Sequence, residues 1–182
     1  MYAVKGYGHY MESPALDFLN SERSIAGRDL LDDRAWRHEL LRSVGCGERS
    51  ASPQRLKELR ALLREVAQTL SRDAVPSSEQ LEAVNAVLRT APVRPHLFHD
   101  GSRYGLELTP LRRDERAVLA ELTGHFARLV LRLQPPRLKL CPGCGRAFYD
   151  ESRNRSRRWC ESQTCGNRIR VRRFREKRRT RS

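Results

Sequence analysis

Cys141-Pro142-Gly143-Cys144, Arg157-Arg158-Trp159-Cys160 and Cys165-Gly166-Asn167-Arg168 put four of the chain's five cysteines into one 25-residue window. The spacing is C-x2-C, fifteen residues, then C-x4-C. Each close pair can hand two sulfurs to one ion, and the loop between them lets the second pair fold back to complete a tetrahedron with Zn–S near ~2.3 Å. The pattern predicts a closed, structural site for one Zn2+ with Cys141, Cys144, Cys160 and Cys165 as ligands.

The competing reading of four thiols is disulfide bonding, which needs an oxidising compartment. Met1 to His9 hold no apolar h-region of the kind a secretory leader carries, so a reducing, cytoplasmic setting is expected and the thiols stay available for metal. Paired spacing is also far more specific than a lone C-x-x-C, which favours zinc.

Charge sharpens the picture. The 182-residue chain carries +14, and residues 137–182 supply most of it, with 16 Lys and Arg against 4 acids; residues 1–136 have 20 against 18. Four thiolates and one zinc would leave the last 46 residues near +10. A field of that density needs an acidic partner, and nucleic acid phosphate is the usual one. A membrane surface is disfavoured: the basic tail offers Ile169, Val171 and Phe174 as its apolar anchors, and no apolar run is long enough to span a bilayer. Thirteen of the fifteen basic residues in 139–182 are Arg, which suits bidentate contact with phosphate or guanine.

Phe148-Tyr149-Asp150, Ser152-Arg153-Asn154, Arg157-Arg158-Trp159-Cys160 and Cys165-Gly166-Asn167-Arg168, followed by a basic tail, resemble in order and density the CGNR zinc fingers of bacterial proteins. That family takes its name from the tetrapeptide at 165–168. Asp17-Phe18-Leu19-Asn20 is similar to the stretch that opens the family's N-terminal domain. The resemblance implies a stress-induced transcription regulator; taken with the basic finger, it makes DNA the expected partner, and the protein is expected to be nucleoid-associated when bound. Glu161-Ser162 and Arg170 depart from the family's habit, and neither touches a predicted ligand.

The resulting fold class is α+β: a mainly helical N-terminal domain (1–134) with a small antiparallel hairpin, then a four-cysteine zinc finger (137–182) ending in a basic helix. Leu16 to Ser21 reads as a short helix after Pro14, with Asp17 and Asn20 assigned to capping and buried hydrogen bonding in preference to ligand contact. Residues 29–43 read as a helix with Trp36 in the core, and Cys46 as an ordinary loop or half-buried thiol. Ser52-Pro53 starts the clearest helix, with Leu56, Leu59, Leu63, Val66 and Leu70 in one stripe. Ser77 with Gln80 three residues on predicts a capping box for the next, carrying Leu81, Val84, Val87 and Leu88. Leu97 to His99 and Tyr104 to Leu108 flank Asp100-Gly101 as two strands, so His96 and His99 project to opposite faces and make a poor metal pair. Thr109-Pro110 is expected to cap a helix to Leu133 with Leu111, Val118, Leu122, Phe126 and Leu129 inward, and Gln134-Pro135-Pro136 to form a stiff hinge.

Within the finger, Leu138-Lys139-Leu140 and Arg146 to Tyr149 suggest a hairpin whose knuckle presents Cys141 and Cys144. Phe148, Trp159 and Phe174 are the expected small core, and without zinc the finger should be unfolded or molten. Gly166-Asn167 would cap a helix from Arg168 to Lys177, narrow enough to enter a major groove of about 12 Å. The nucleic-acid candidates are Arg153, Asn154, Arg155, Arg157 and Arg158 on the loop, and Asn167, Arg168, Arg170, Arg172, Arg173, Arg175 and Lys177 around the helix. A purely capping Asn167 is an equal reading, as is a structural Arg158 or Arg168 that pairs with Asp150 or donates to sulfur.

Three other functions compete with a DNA-binding regulator. An RNA-binding or ribosome-associated zinc ribbon is the first, although the finger's few aromatics look needed for packing. An enzyme is not expected, because all five histidines lie outside the finger and a fully cysteine-ligated zinc keeps no open position for water. A redox switch that ejects zinc would use the same thiols. The N-terminal domain is expected to dimerise, to sense a ligand or to contact a partner.

Overall fold

The computed structural model describes residues 13–22, 28–46, 51–112, 114–133 and 137–179, and the side chains of Glu107, Arg132, Leu133, Arg173, Lys177 and Arg179 lie outside the description. The expectations for Met1 to His9 and for the hinge at 134–136 fall outside these residues.

Among the described residues, six α-helices and two hairpins form in the order α1 (Pro14–Asn20), α2 (Arg34–Ser43), α3 (Pro53–Ser71), α4 (Ser78–Arg89), β1 (Val93–His99), β2 (Tyr104–Pro110), α5 (Glu115–Leu133), β3 (Leu138–Leu140), β4 (Ala147–Tyr149) and α6 (Asn167–Arg179). The caps are those the local sequence demands. Ser52 accepts from the Arg55 amide with Pro53 in the first turn, and Ser77 and Gln80 form a reciprocal capping box. Residues 29–43 do not form one helix. Asp29 caps a 3₁₀ turn, Leu30–Asp32, and Asp33 then caps α2 with its carboxylate on the amides of Ala35 and Trp36. Two Asp caps four residues apart each satisfy a separate set of free amides, and this divides the segment.

The whole α3 stripe is buried and forms the spine of the main core with Phe18, Leu19, Leu31, Val44, Val118, Leu122 and Phe126. Cys46 lies in the loop after α2, as expected, but it is fully buried and packs into this core. Leu81 and Leu111 are exposed, contrary to the inward placement expected of them. Thr109-Pro110 ends β2 and does not cap α5. The ladder keeps Pro110 opposite Val93, and α5 starts at Glu115 with the Asp114 carboxylate on the Ala117 amide.

β1 and β2 pair antiparallel from Val93↔Pro110 to His99↔Tyr104. At the turn, Gly101 has φ 97° and Asp100 accepts from the amides of Ser102 and Arg103 and from the Ser102 hydroxyl.

The second hairpin, β3–β4, joins the main core. Leu138 and Ala147 are buried within it, and the strands lie on α3 and α1. Two polar clamps hold it there. The Asn20 carboxamide donates to the Ala147 carbonyl at 2.9 Å and accepts from the Ala147 amide at 2.8 Å. Arg64 donates to the carbonyls of Leu19 at 2.8 Å and Gly145 at 3.0 Å. Asn20 is therefore a hydrogen-bonding residue as expected, and its partner lies 127 positions away. Beneath these clamps Arg60 donates to the Ser21 hydroxyl and forms a bidentate pair with Asp29, both distances to the carboxylate being 2.8 Å or less.

Candidate metal centre and nucleic-acid interface

The β3–β4 knuckle presents the first two sulfurs. Gly145, at φ 70°, supplies the left-handed step, its amide donates to the Cys141 carbonyl, and the Cys141 amide donates to the Arg146 carbonyl at 2.8 Å. The second pair arrives on a π-helical turn, Ser162–Gly166, closed by the Gly166 amide on the Glu161 carbonyl at 3.2 Å. The wider turn swings Cys165 back under Cys160. Gly143 and Gly166 sit where the two halves touch: a Cβ on Gly166 would lie 3.1 Å from the Trp159 ring, and one on Gly143 would lie 3.4 Å from both Cys165 Cβ and Ile169 Cδ1.

The sulfurs of Cys141, Cys144, Cys160 and Cys165 all lie within 4.8 Å of one another, with Cys144 to Cys160 at 3.5 Å and Cys160 to Cys165 at 3.6 Å. A zinc tetrahedron with ~2.3 Å bonds has sulfur–sulfur edges near ~3.8 Å, whereas a disulfide needs ~2.05 Å. All four cysteines are free, and the cluster fits one structural zinc ion. Burial pushes the Cys141 thiol up, but the amides of Cys160, Gly143 and Cys144 outweigh it and bring it to about 7. Burial and the neighbouring sulfurs push Cys160 and Cys165 up. Four crowded thiolates repel, and a dication relieves that repulsion. Phe148, Trp159 and the cysteines make the small core beside the cluster, but Phe174 does not join it: it lies exposed on α6 beneath the Arg178 guanidinium.

A fully buried Asp150 organises the loop that follows. One carboxylate oxygen accepts from the Ser152 amide at 2.9 Å and hydroxyl at 2.5 Å; the other accepts from Lys139 Nζ at 2.6 Å and the Arg157 amide at 3.1 Å. Burial pushes this carboxyl up, but Lys139 and the two Ser152 donors together hold it below the ordinary range. Lys139 also donates to the carbonyls of Arg155 and Arg157, and Arg137 to those of Asp150 and Ser152. The partner of Asp150 is thus Lys139, not Arg158 or Arg168. Sequence reading missed this hub, although an acid set among so many basic residues is a signal that one of them holds it.

The hub sorts the nucleic-acid candidates. Arg153, Asn154, Arg155 and Arg158 project outward, with Arg155 in the left-handed region at φ 52°. Arg157 is turned inward, donating to the carbonyls of Trp159 and Cys160 and lying 5.3 Å from the Phe148 ring centroid. Asn167 begins α6, and its side chain is exposed together with those of Arg168, Arg170, Arg172 and Arg175. Ile169 is half-buried against the knuckle, which orients the helix. Arg172 is paired with Glu176 at 3.2 Å, both exposed. Arg173 and Lys177 lie on α6 with side chains outside the description.

A cleft of about 640 Å³ opens between α1, α2 and the finger, with Asp17, Asn20, Trp36, Glu39, Phe148, Tyr149 and Arg157 in its walls. Trp36 is half-buried there and is packed against the main core, as expected of it. No helix among the described residues is long and apolar enough to cross a membrane.

Two protein-family models match. One, described as "Putative stress-induced transcription regulator" (ABATE), covers residues 12–132; the other, the CGNR zinc finger, covers residues 137–178. No curated protein matches the chain.

Proposed function

The chain belongs to the ABATE family and ends in a CGNR zinc finger, and from that premise we propose that it is a cytoplasmic transcriptional regulator that docks on DNA through the finger. The observation that supports this most directly is the division of labour among the arginines. Arg137, Lys139 and Arg157 are spent on the loop's own carbonyls, while Arg153, Arg155, Arg158, Arg168, Arg170 and Arg175 remain exposed on one small metal-bound unit. A surface this rich in guanidinium and this poor in acid attracts phosphate and can offer bidentate contacts to guanine. The role is binding, not catalysis: four sulfurs fill a tetrahedral ion's coordination shell.

The N-terminal part supplies regulation. A ligand in the cleft would touch α1, α2 and the finger together, so its binding would be felt at the DNA-docking surface. Residues 1–134 and 137–182 accordingly act as input and output, held in one body by the Asn20 and Arg64 clamps.

The test is selection of random duplexes by the zinc-loaded protein at about 150 mM salt, where non-specific binding is weakened. An enriched motif supports a sequence-specific regulator. Retained binding without enrichment, or preference for structured RNA, would move the RNA-binding reading ahead. If six phosphates are neutralised, log K against log[salt] has a slope of about −5. Arg155→Ala should lower the slope with folding unchanged, and a slope near zero for the parent protein would defeat electrostatic docking.

A further inference from the structure

The register of the β1–β2 ribbon sorts its residues cleanly. Cross-strand partners share a face, so Val93 with Pro110, Pro95 with Leu108, Leu97 with Leu106 and His99 with Tyr104 make one face, while Arg94, Thr109, His96 and Phe98 make the other. The opposite face is closed locally: Phe98 lies over Gly105, where a Cβ would meet its ring at 2.5 Å. The first face is apolar from Val93 to Leu97 on β1 and from Leu106 to Pro110 on β2, with His99 and Tyr104 at its turn end, and it is largely exposed. Val93 is 44% exposed, Leu97 66%, Tyr104 77%, Leu106 63% and Leu108 43%. Amphipathic strands normally turn such a face inward, and a two-stranded ribbon alone is marginally stable in water. Among the described residues, β1 and β2 pack chiefly on each other, and the Leu111 amide on the Pro92 carbonyl closes the ribbon at its base.

We infer that this face is the seat of a homodimer, in which two ribbons stack apolar face to apolar face about a two-fold axis. Charge favours a second copy as the occupant. Residues 93–110 hold two Arg, one Asp and one Glu and are neutral by sequence, so self-association here meets no repulsion; the basic finger would resist any symmetric contact made through itself. Area agrees. The five exposed side chains offer on the order of 500 Å² per copy, so a stacked pair buries about 1,000 Å², at the threshold of a specific interface. Stacking also suits the ribbon better than strand addition, because Pro95 in the middle of β1 has no N–H to offer a new neighbour. Two chains joined this way carry two fingers, which can contact two half-sites and raise affinity beyond what one small module reaches.

The experiment is sedimentation equilibrium of the zinc-loaded full chain from about 1 to 100 μM, without nucleic acid, so that its result is independent of whether the protein binds DNA. The parent chain should show twice its 21.1 kDa mass. Leu97→Glu with Leu106→Glu, which charges the centre of the face, should raise the dimer dissociation constant at least ~100-fold. Leu81→Glu, on an exposed position of α4, should leave it unchanged. Leu106→Ser is measured alongside as a strand-compatible change, with far-UV circular dichroism and zinc content confirming that it is folded, and should also weaken the dimer. A monomeric parent at 100 μM would overturn the inference, as would a folded Leu106→Ser or double-Glu variant that dimerises like the parent. A chain that dimerises only after residues 1–12 are removed would also overturn it, by showing that the chain's own N-terminus covers the face.

Discussion

Replacing Asn20 by Ala tests whether the finger and the helical part are one folded unit. The side chain makes two hydrogen bonds, at 2.8 and 2.9 Å, to both backbone groups of Ala147, which is 2% exposed. It acts toward the outer edge of β4 as a neighbouring strand would. Truncation removes both bonds and leaves a buried amide and carbonyl without that partner. Each lost bond is worth about 1 kcal/mol net, and the stranded groups add a desolvation cost that water entering from the half-buried side partly offsets, so the loss is about 2–3 kcal/mol. For a chain of this length that lowers Tm by roughly 4–12 °C. Urea and thermal unfolding of the zinc-loaded protein would measure it, followed by circular dichroism for the helices and, in a Trp36→Phe background, by Trp159 fluorescence for the finger. Both probes should move together, because Leu138 and Ala147 share the core of α3. Asn20→Asp keeps the acceptor for the Ala147 amide but sets a carboxylate against the Ala147 carbonyl, so it should rescue little. A loss under about 0.5 kcal/mol, or one confined to the fluorescence probe, would refute the reasoning.

Stripping zinc with a chelator should therefore destabilise the helical part as well as the finger, lowering Tm by more than about 10 °C, whereas a separately hinged finger would leave the helices untouched. Arg60→Met should cost about 3 kcal/mol by denaturant titration, because it leaves the Asp29 carboxylate, 18% exposed, without its bidentate partner. His125 provides an acid-sensitive element. Burial, reinforced by Arg128, lowers its pKa to about 4 against a hydrogen bond to Val44, and Nε2 has no hydrogen-bond partner, with the Glu121 carboxylate 3.8 Å away. The folded state thus disfavours the imidazolium that the unfolded chain accepts at about 6.5, so stability falls as pH drops from 6.5 towards 4, by up to about 3 kcal/mol. Chemical denaturation across that range, with His125→Gln as the comparison, should show a slope in the parent and a flatter line in the variant.

Features whose partners are near neighbours along the chain were legible in its sequence. The cysteine spacing announced the zinc site, Ser52-Pro53 and the Ser77–Gln80 box announced two helix starts, and the α3 stripe announced the core, because each acts over one or two turns of backbone. The family resemblance extended that reading to the finger's sequence and to Asp17–Asn20. The paired strands at 93–110 were readable too, as alternation around Asp100-Gly101. Their outward apolar face was not, since alternation shows that a strand has two faces without saying which one meets the rest of the molecule. The same limit explains Leu81 and Leu111, apolar residues at periodic positions that are nonetheless exposed. Asp29, Asp33 and Asp114 each cap a neighbouring turn, yet competition among adjacent acids was resolved only when packing chose which amides to leave free. The carboxamide of Asn20 on Ala147, Arg64 on Gly145 and Lys139 on Asp150 join residues 127, 81 and 11 positions apart. Residue type and spacing determine what a segment is able to bind locally; which buried polar group finds which partner depends on the chain having folded back on itself, and there burial makes each such pairing obligatory.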